Sequence, residues 1–487
     1  MAAPNILFLM TDQLRPDHVG FMPGSKYCTP NLDAIASEGT VFSNCQSVHP
    51  VCMPARAALL TGRYPHQIGC LQMSGDLNFD LPTYPQALQR AGYWTGLVGK
   101  LHVLQAWPWS QSRGQGIPLH NLQSEVKGLG FDCVWESAGK QLAVRNHCDW
   151  CVHLAERGIL EAARDFLEAC GPNHNVPDDA LLPDGKPWPL DEADHVDVVT
   201  ADKALQALRE RDPAKPFFLK VSFCSPHKPF DPPQRYLDME PEDRSDDFLP
   251  APDGSTLSSD MKETLWRLRR AYRATLRLVD DQVGRIVAEL KSQGLYNNTL
   301  IAFSSDHGEM MGDHGRVQKQ IYWRESLTVP TFVRMPGAPA AQTVSSPVEL
   351  TDLSATFLDA AGLDPHAALS EAWPAFRNVI PCRSLLPALR DGRAIRNFSF
   401  SESGVGWECV QSDTRKYVRW TDGSSGGFRE EFYDLQNDPK ELINLATLPD
   451  EQRAFGEHRH HLQWVLATTP PAQHRWAPFG SEHSVQK

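Results

Sequence analysis

The chain has 487 residues, of which 41% are hydrophobic and 22% charged. That ordinary globular usage excludes fibrous and disordered classes and suits one large domain with a smaller companion. Lys and Arg number 47 against 60 Asp and Glu, a formal charge of −13, which excludes general nucleic-acid binding and leaves any anionic substrate to a local cluster of positive groups.

Residues 5–10 are nearly continuous in apolar character, as in a central strand buried on both faces. Residues 31–38 read as a short helix with Leu32, Ile35 and Ala36 on one face. Pro54 suits a first helical position, residues 55–61 continue that helix, and Gly62 ends it. A helix over 81–91 stopped by Gly92 precedes a strand over 93–98. Residues 103–199 are rich in Trp, Pro, Gly and His and lack sustained periodicity. Long connections of that kind usually shape a substrate pocket. Strands follow over 217–223 and 299–304, separated by a long helical stripe over 261–293 that includes Leu265, Tyr272, Val279, Val283 and Leu290. A strand over 329–333 and a helix over 352–361 complete the alternation. The pattern predicts an α/β domain over 1–376, with a large mixed, mostly parallel sheet between helices.

From about Arg377 the texture changes. Short strands over 398–400, 416–420 and 431–433, then a helix over 450–467 interrupted by Gly456, predict a smaller C-terminal α+β domain over 377–487. The eleven cysteines are odd in number and have no framework spacing, which fits a reducing compartment. No basic segment followed by an apolar core opens the sequence, and no apolar run approaches the roughly 20 residues of a bilayer span. The expectation is a soluble, cytoplasmic protein with neither nucleic acid nor membrane as partner.

The most informative segment is Cys52-Met53-Pro54-Ala55-Arg56. Cys52 is placed just ahead of a helix N-terminus, where free N–H groups and the dipole favour anions, and Arg56 adds a fixed charge. The alternative is a buried thiol before a helix. Asp12 follows the first strand, and Asp306-His307-Gly308 follows the strand over 299–304. Ligands of open parallel sheets gather beyond the carboxyl ends of the strands, so these groups can aim at one divalent cation, with Gln13 adding a carbonyl oxygen. Each taken alone is as easily a turn former or helix cap. Lys100 and His102, then His227, stand beyond further strand ends, and Lys319 lies in the loop beyond Asp306. Together they make a case for an oxyanion pocket.

Competing motifs are weak. Gly99-Lys100 lacks the Ser or Thr and the spacing of a phosphate-binding loop, and no Gly-x-Ser-x-Gly elbow occurs. Cys148 and Cys151, flanked by His147 and His153, lack a second cysteine pair, so a structural role outranks zinc or redox chemistry. Trp107, Trp109, Trp135, Trp150 and Trp188 are expected to pack rather than line a pocket.

These residues resemble the sulfatase family of the alkaline phosphatase superfamily. The resemblance runs from Asn5 to about Leu445. Its most specific piece is Cys52-x-Pro54-x-Arg56 followed by Ala57-Ala58-Leu59-Leu60-Thr61-Gly62-Arg63. Supporting pieces are Thr29-Pro30-Asn31-Leu32-Asp33, Gly99-Lys100-Leu101-His102, Pro226-His227-Lys228-Pro229, Asp306-His307-Gly308 and Phe432-Tyr433-Asp434-Leu435.

The resemblance implies that a formylglycine-generating enzyme oxidises Cys52 to formylglycine, whose hydrate is the nucleophile. It also implies one divalent metal held by Asp12, Gln13, residue 52, Asp306 and His307. Lys100 and Lys319 would hold the sulfuryl oxygens, His227 would lie near the leaving oxygen, His102 would help regenerate the aldehyde and Arg56 would support the nucleophile. Many relatives have a second acid where Gln13 stands and Asn where His307 stands. That donor set lessens the bias toward calcium and admits manganese. The expected reaction is hydrolysis of a small sulfate ester. Phosphonate monoester or phosphodiester hydrolysis ranks second, and a catalytically silent anion- or metal-binding protein stands as the non-enzyme alternative. A homo-oligomer is compatible with the sequence.

Overall fold

Strand β1 (Asn5–Thr11) is buried along its whole length, and its alternating side chains seed two cores. The computed structural model describes residues 3–73, 76–104, 113–116, 118–170, 185–245, 247–370, 379–421 and 428–471. In chain order the further strands are β2 (Thr40–Phe42), β3 (Cys45–Gln46), β4 (Trp94–Gly99), β5 (Cys133–Glu136), β6 (Phe217–Ser222), β7 (Thr299–Ser305), β8 (Thr331–Arg334), β9 (Gln342–Val344) and β10 (Val348–Glu349). Four more follow: β11 (Ser399–Ser403), β12 (Trp407–Gln411), β13 (Arg415–Thr421) and β14 (Phe428–Asp434).

Eight strands form one sheet in the order β5-β4-β6-β1-β7-β8-β2-β9. From β5 to β7 all neighbours are parallel, whereas β8 runs antiparallel to both β7 and β2. Ile6, Phe8 and Met10 face a core shared with the helices Cys52–Thr61, Tyr84–Arg90 and Asp352–Ala360. Leu7 and Leu9 face the opposite core, built with Pro30–Ser37, Val196–Glu210 and Ser259–Ser292. The period of two along the strand thus clothes both faces of the sheet in helices. The architecture is the large, mostly parallel α/β sheet expected from the alternation.

Strands β11 to β14 form a four-stranded antiparallel meander. One face packs on the helix Gln452–Thr468 through Val410, Tyr417, Phe432, Phe455 and Leu462. The other covers Met310, Tyr322 and Trp323 through Trp407, Val418 and Tyr433. Gly456 does not break the last helix, because the space around it is open and one exposed glycine costs only about 1 kcal/mol. The boundary expected near residue 377 lies outside the described residues.

Several local expectations shift. The helix bearing Cys52 begins at Cys52 itself, with Val51 as its cap and Pro54 third. Proline fits there because the first N–H groups of a helix need no intrahelical partner. Gly62 closes the helix at φ 66°, as expected. The strand expected over 329–333 starts at Thr331, because Val329 donates instead to the Cys45 carbonyl. Within 103–199 lie β5 and the short helices Gln123–Gly128, Lys140–Ala143 and Asp149–Glu156, whereas Leu160–Cys170, at 11 residues, is long enough to be amphipathic and buries Ala163, Leu167 and Cys170.

Cys148 and Cys151 are buried with their sulfurs 3.6 Å apart, and Cys151 donates to the Ala143 and Asn146 carbonyls. His153 turns to Asp194 at 2.8 Å. Both cysteines belong to the core that packs on Trp150 and Leu154. Trp150 and Trp188 pack together with ring centres 6.1 Å apart, and Trp135 flanks both cores. Trp107 and Trp109 lie outside the described residues. No described helix is long and apolar enough to cross a membrane. All eleven cysteines are free thiols.

Candidate active site

Register brings the scattered motifs together. Thr11 pairs with Ser305, so Asp12 and Asp306 leave the sheet side by side. Gly99 and Met10 both pair with Ser222, which sets Lys100 at the same end of the sheet. Gly99 is held at φ 99°, where a Cβ would lie 2.0 Å from the Ser222 carbonyl oxygen, so only glycine permits the approach. His227 follows β6 at the same edge. This is the carboxyl end of parallel strands, with β1 flanked by β6 and β7.

Cys52 and Arg56 are four residues apart on one helix and therefore share a face. Arg56 is fully buried and spends its fork on four acceptors. Nε donates to Asp306 Oδ2 at 2.6 Å, Nη1 to the Lys100 carbonyl at 2.6 Å and Ser222 Oγ at 2.9 Å, and Nη2 to Asp12 Oδ2 at 3.2 Å. Lys100 Nζ adds a 2.6 Å bond to Asp12 Oδ2. Burial alone would raise the Asp12 carboxyl, but Lys100 and Arg56 hold it well below the usual carboxylate range. Arg56 does the same for Asp306 against its burial. Both carboxylates are charged.

Asp12 Oδ1 is buried and accepts no hydrogen bond. His307 Nδ1 donates to the Gly308 carbonyl at 2.9 Å, which leaves Nε2 as the acceptor. Nε2 lies 3.6 Å from Asp306 Oδ1 and 3.9 Å from Asp12 Oδ1. Ligand atoms of Asp12, Asp306 and His307 fall within 4.8 Å of one another, which among the described residues makes them the only such group found. An orphaned carboxylate oxygen, a second carboxylate and an imidazole lone pair fit a divalent cation.

Gln13 is held at φ 66° beside them. Its Nε2 donates to Glu309 Oε2, and its Oε1 accepts from Lys319 Nζ at 3.0 Å. Lys319 also donates to His307 Nε2 at 2.9 Å and lies 3.9 Å from Cys52 Sγ. Burial opposes ionisation of the Cys52 thiol, yet Lys319 and Lys100 outweigh it and bring its pKa down to about 7. Met73 Sδ, 3.6 Å from Cys52 Sγ, closes the other side.

His102, at φ 58°, donates its backbone N–H to Glu136 and keeps a buried, unpartnered Nδ1. Burial, then Lys100 and Arg56, push its ring pKa far down, so it is neutral. His227 Nδ1 donates to the Lys228 carbonyl at 2.8 Å, which leaves Nε2 as its acceptor nitrogen, and burial likewise keeps that ring neutral. Cys52, Lys100, His102, His227 and Lys319 line one cavity of about 330 Å³, with Ala138 to Leu142 from the long connection forming part of its wall.

All expected site residues thus converge. Two supporting residues were not anticipated. Glu309 anchors Gln13 and accepts from the Met311 and Gln318 amides, which positions the start of the Lys319 loop. Its place three residues beyond Asp306 was the available signal. Lys140 is buried and donates to Asp231 at 2.6 Å, Ser225 Oγ at 3.1 Å and the Pro229 carbonyl at 2.8 Å, bracketing His227. No local signal marked it.

Comparison with known proteins places this geometry. Residues 4–363 match the family model described as Sulfatase. The chain is 30% identical over 470 residues to an arylsulfatase of Clostridium perfringens, covering 91% of this chain and 90% of that protein. It is 26% identical over 522 residues to an N-acetylglucosamine-6-O-sulfatase of Bacteroides thetaiotaomicron, covering 91% and 82%. Among solved structures, a phosphonate monoester hydrolase of Agrobacterium radiobacter superposes with a TM-score of 0.75 at 25% identity, covering 96% of both chains. Matching over most of its length in sequence and in architecture, the chain belongs to the sulfatase family.

Proposed function

We propose that this chain hydrolyses small sulfate esters, with Cys52 converted to formylglycine as nucleophile and one divalent cation held by Asp12, Asp306, His307 and Gln13. The observation that carries the reading is the placement of Cys52 at a helix N-terminus, 3.9 Å from Lys319 and on the same helix face as an Arg56 that binds both carboxylates.

A thiol cannot complete the cycle, since expelling sulfate requires a second hydroxyl on the same carbon; conversion to an aldehyde replaces sulfur and two hydrogens by one oxygen and supplies, once hydrated, both hydroxyls. A divalent cation, manganese or calcium, bound by these residues would supply Lewis acidity for the reacting sulfate group. Arg56 fixes the two carboxylates and the helix that carries residue 52. Lys100 and Lys319 place ammonium groups beside that residue, where negative charge gathers on the sulfuryl oxygens. His227 turns Nε2 outward and can pass a proton to the leaving oxygen once an anionic substrate raises its proton affinity. Neutral His102, with its free Nδ1, can accept the proton of the second hydroxyl.

The test is mass analysis of the peptide containing Cys52 after coexpression with a formylglycine-generating enzyme. It is paired with a rate panel of sulfate, phosphate and phosphonate monoesters on metal-defined protein. Conversion with sulfate turned over fastest is the expected result; persistent thiol under those conditions rejects the nucleophile. The phosphonate reading is favoured by the structural likeness to the Agrobacterium radiobacter hydrolase. Faster phosphonate turnover would select it. Cytoplasmic placement accords with the eleven free thiols.

A further inference from the structure

The cavity reverses the character of the chain. A molecule of net charge −13 lines this space with Lys100, Lys140, Lys228, Arg316 and Lys319, and no carboxylate stands among the described lining residues. Three of the five cations are already engaged. Lys100 is paired with Asp12, Lys140 with Asp231, and Lys319 donates to Gln13 and His307 beside Cys52.

Lys228 and Arg316 differ. Neither side chain has an ion pair or hydrogen bond among the described residues, although both line the cavity. Arg316 is exposed. Lys228 is only 5% exposed. An ammonium so deeply placed without a partner is costly, and burial pulls its pKa down to about 8, with Glu309 the attracting charge and Lys319 a repelling one. Glu309 makes no hydrogen bond to it, its oxygens accepting instead from Gln13 and from the Met311 and Gln318 amides. The missing partner is one that a ligand brings. A simple sulfate ester bears a single negative charge, and Lys100 and Lys319, although engaged, already flank Cys52 where that charge would sit. Lys228 and Arg316 are charge beyond that need.

We propose that the alcohol half of the substrate carries a second anionic group, a carboxylate or a further sulfate, and that Lys228 and Arg316 bind it. The proposal rests on the sulfate-ester reading above and narrows it. The cavity, about 330 Å³, suits an alcohol the size of a single sugar or aryl ring. Lys228 is the chain neighbour of His227, so the second anion lies close to the leaving oxygen. A quaternary ammonium alcohol would be opposed by the same two charges.

Binding separates this from the chemistry. Cys52→Ala protein is titrated calorimetrically with three matched probes: a monosulfated hexose, the same hexose with two sulfates, and a monosulfated uronic acid. At least one dianion is expected to bind about tenfold tighter than the monoanion, the scale of one charge-assisted hydrogen bond. Which one it is identifies the second anion. Adding Lys228→Met and Arg316→Gln is expected to bring that ratio near one. Arg316→Gln alone, at an exposed site that cannot threaten folding, is expected to lower it about threefold.

Equal affinity for all three probes overturns the proposal, as does a preference that survives both substitutions. The latter is the outcome if Lys228 holds the sulfuryl group itself, because all probes then weaken together. Dianion preference alongside parent protein, converted at Cys52 and loaded with metal, that turns over none of the three sulfated probes and no aryl sulfate would reject the hydrolase reading and leave this subsite standing.

Discussion

Arg56 Nε lies 2.6 Å from Asp306 Oδ2, and neither side chain has exposed surface. The same guanidinium reaches Asp12, Ser222 and the Lys100 carbonyl, so one residue of a helix ties together the ends of β1, β4, β6 and β7. A lysine keeps the charge but lacks the planar fork that spans four acceptors. Arg56→Lys is expected to lower kcat at least ~100-fold and to destabilise the fold by about 1–3 kcal/mol, the usual cost of leaving buried acceptors of the fork unsatisfied. Steady-state kinetics and denaturant unfolding check both. A variant within twofold of the parent in kcat would show that the fork has no part in turnover.

The Cys52 thiol meets Met73, Lys319 and His307 but forms no ion pair that braces the fold, so its removal separates chemistry from folding. Cys52→Ala is expected to abolish turnover while the unfolding midpoint stays close to that of the parent. Near-normal turnover would dismiss residue 52 as nucleophile.

Asp12, Asp306 and His307 are rigid before any ion arrives, because Arg56, Lys100 and the backbone already hold them. Binding therefore acts on a preformed site and stabilises the native state, by about 2.7 kcal/mol at a free ion concentration 100-fold above Kd. Chelation is expected to remove activity and lower the melting temperature together, and manganese or calcium to restore both. His307→Ala is expected to blunt the thermal response to added metal. A melting curve indifferent to both chelator and metal would refute the cation site.

The histidine His66 binds Glu402 on β11 through Nδ1 at 2.8 Å and the Thr469 carbonyl through Nε2 at 2.6 Å. Burial lowers its pKa, but Glu402 outweighs this and raises it above the ordinary 6.5. The charged contact therefore contributes fully below that unfolded value and fades as pH rises through the higher native value. Glu402→Gln is expected to cost about 1–2 kcal/mol at pH ~5.5 and clearly less at pH ~9, measured by urea unfolding at both. A cost that grows with pH would contradict the assignment.

Much of the site is legible before any coordinates. The apolar runs ending in Asp12 and Asp306-His307, and the spacing from Cys52 to Arg56, are statements about neighbours in the chain, which strand and helix periods carry. They suffice for the fold class, for the strand ends as a ligand-gathering edge and for the sulfatase family. They do not specify the strand order that sets β1 between β6 and β7, nor the reversal of β8.

Nor do they reveal what holds the site rigid. Gln13 and Glu309 are 296 positions apart, Lys140 and Asp231 are 91 apart, and the Lys319 loop is braced from the C-terminal sheet by Trp407 Nε1 on the Gln320 carbonyl at 3.1 Å and Lys416 Nζ on the Tyr322 carbonyl at 3.0 Å. Such contacts leave no local period, since they are made by packing and register. Local pattern therefore determined which groups gather at the site. Which cations are paired, and that Lys228 and Arg316 are left to meet a ligand, was decided only when distant segments met and distributed the available partners.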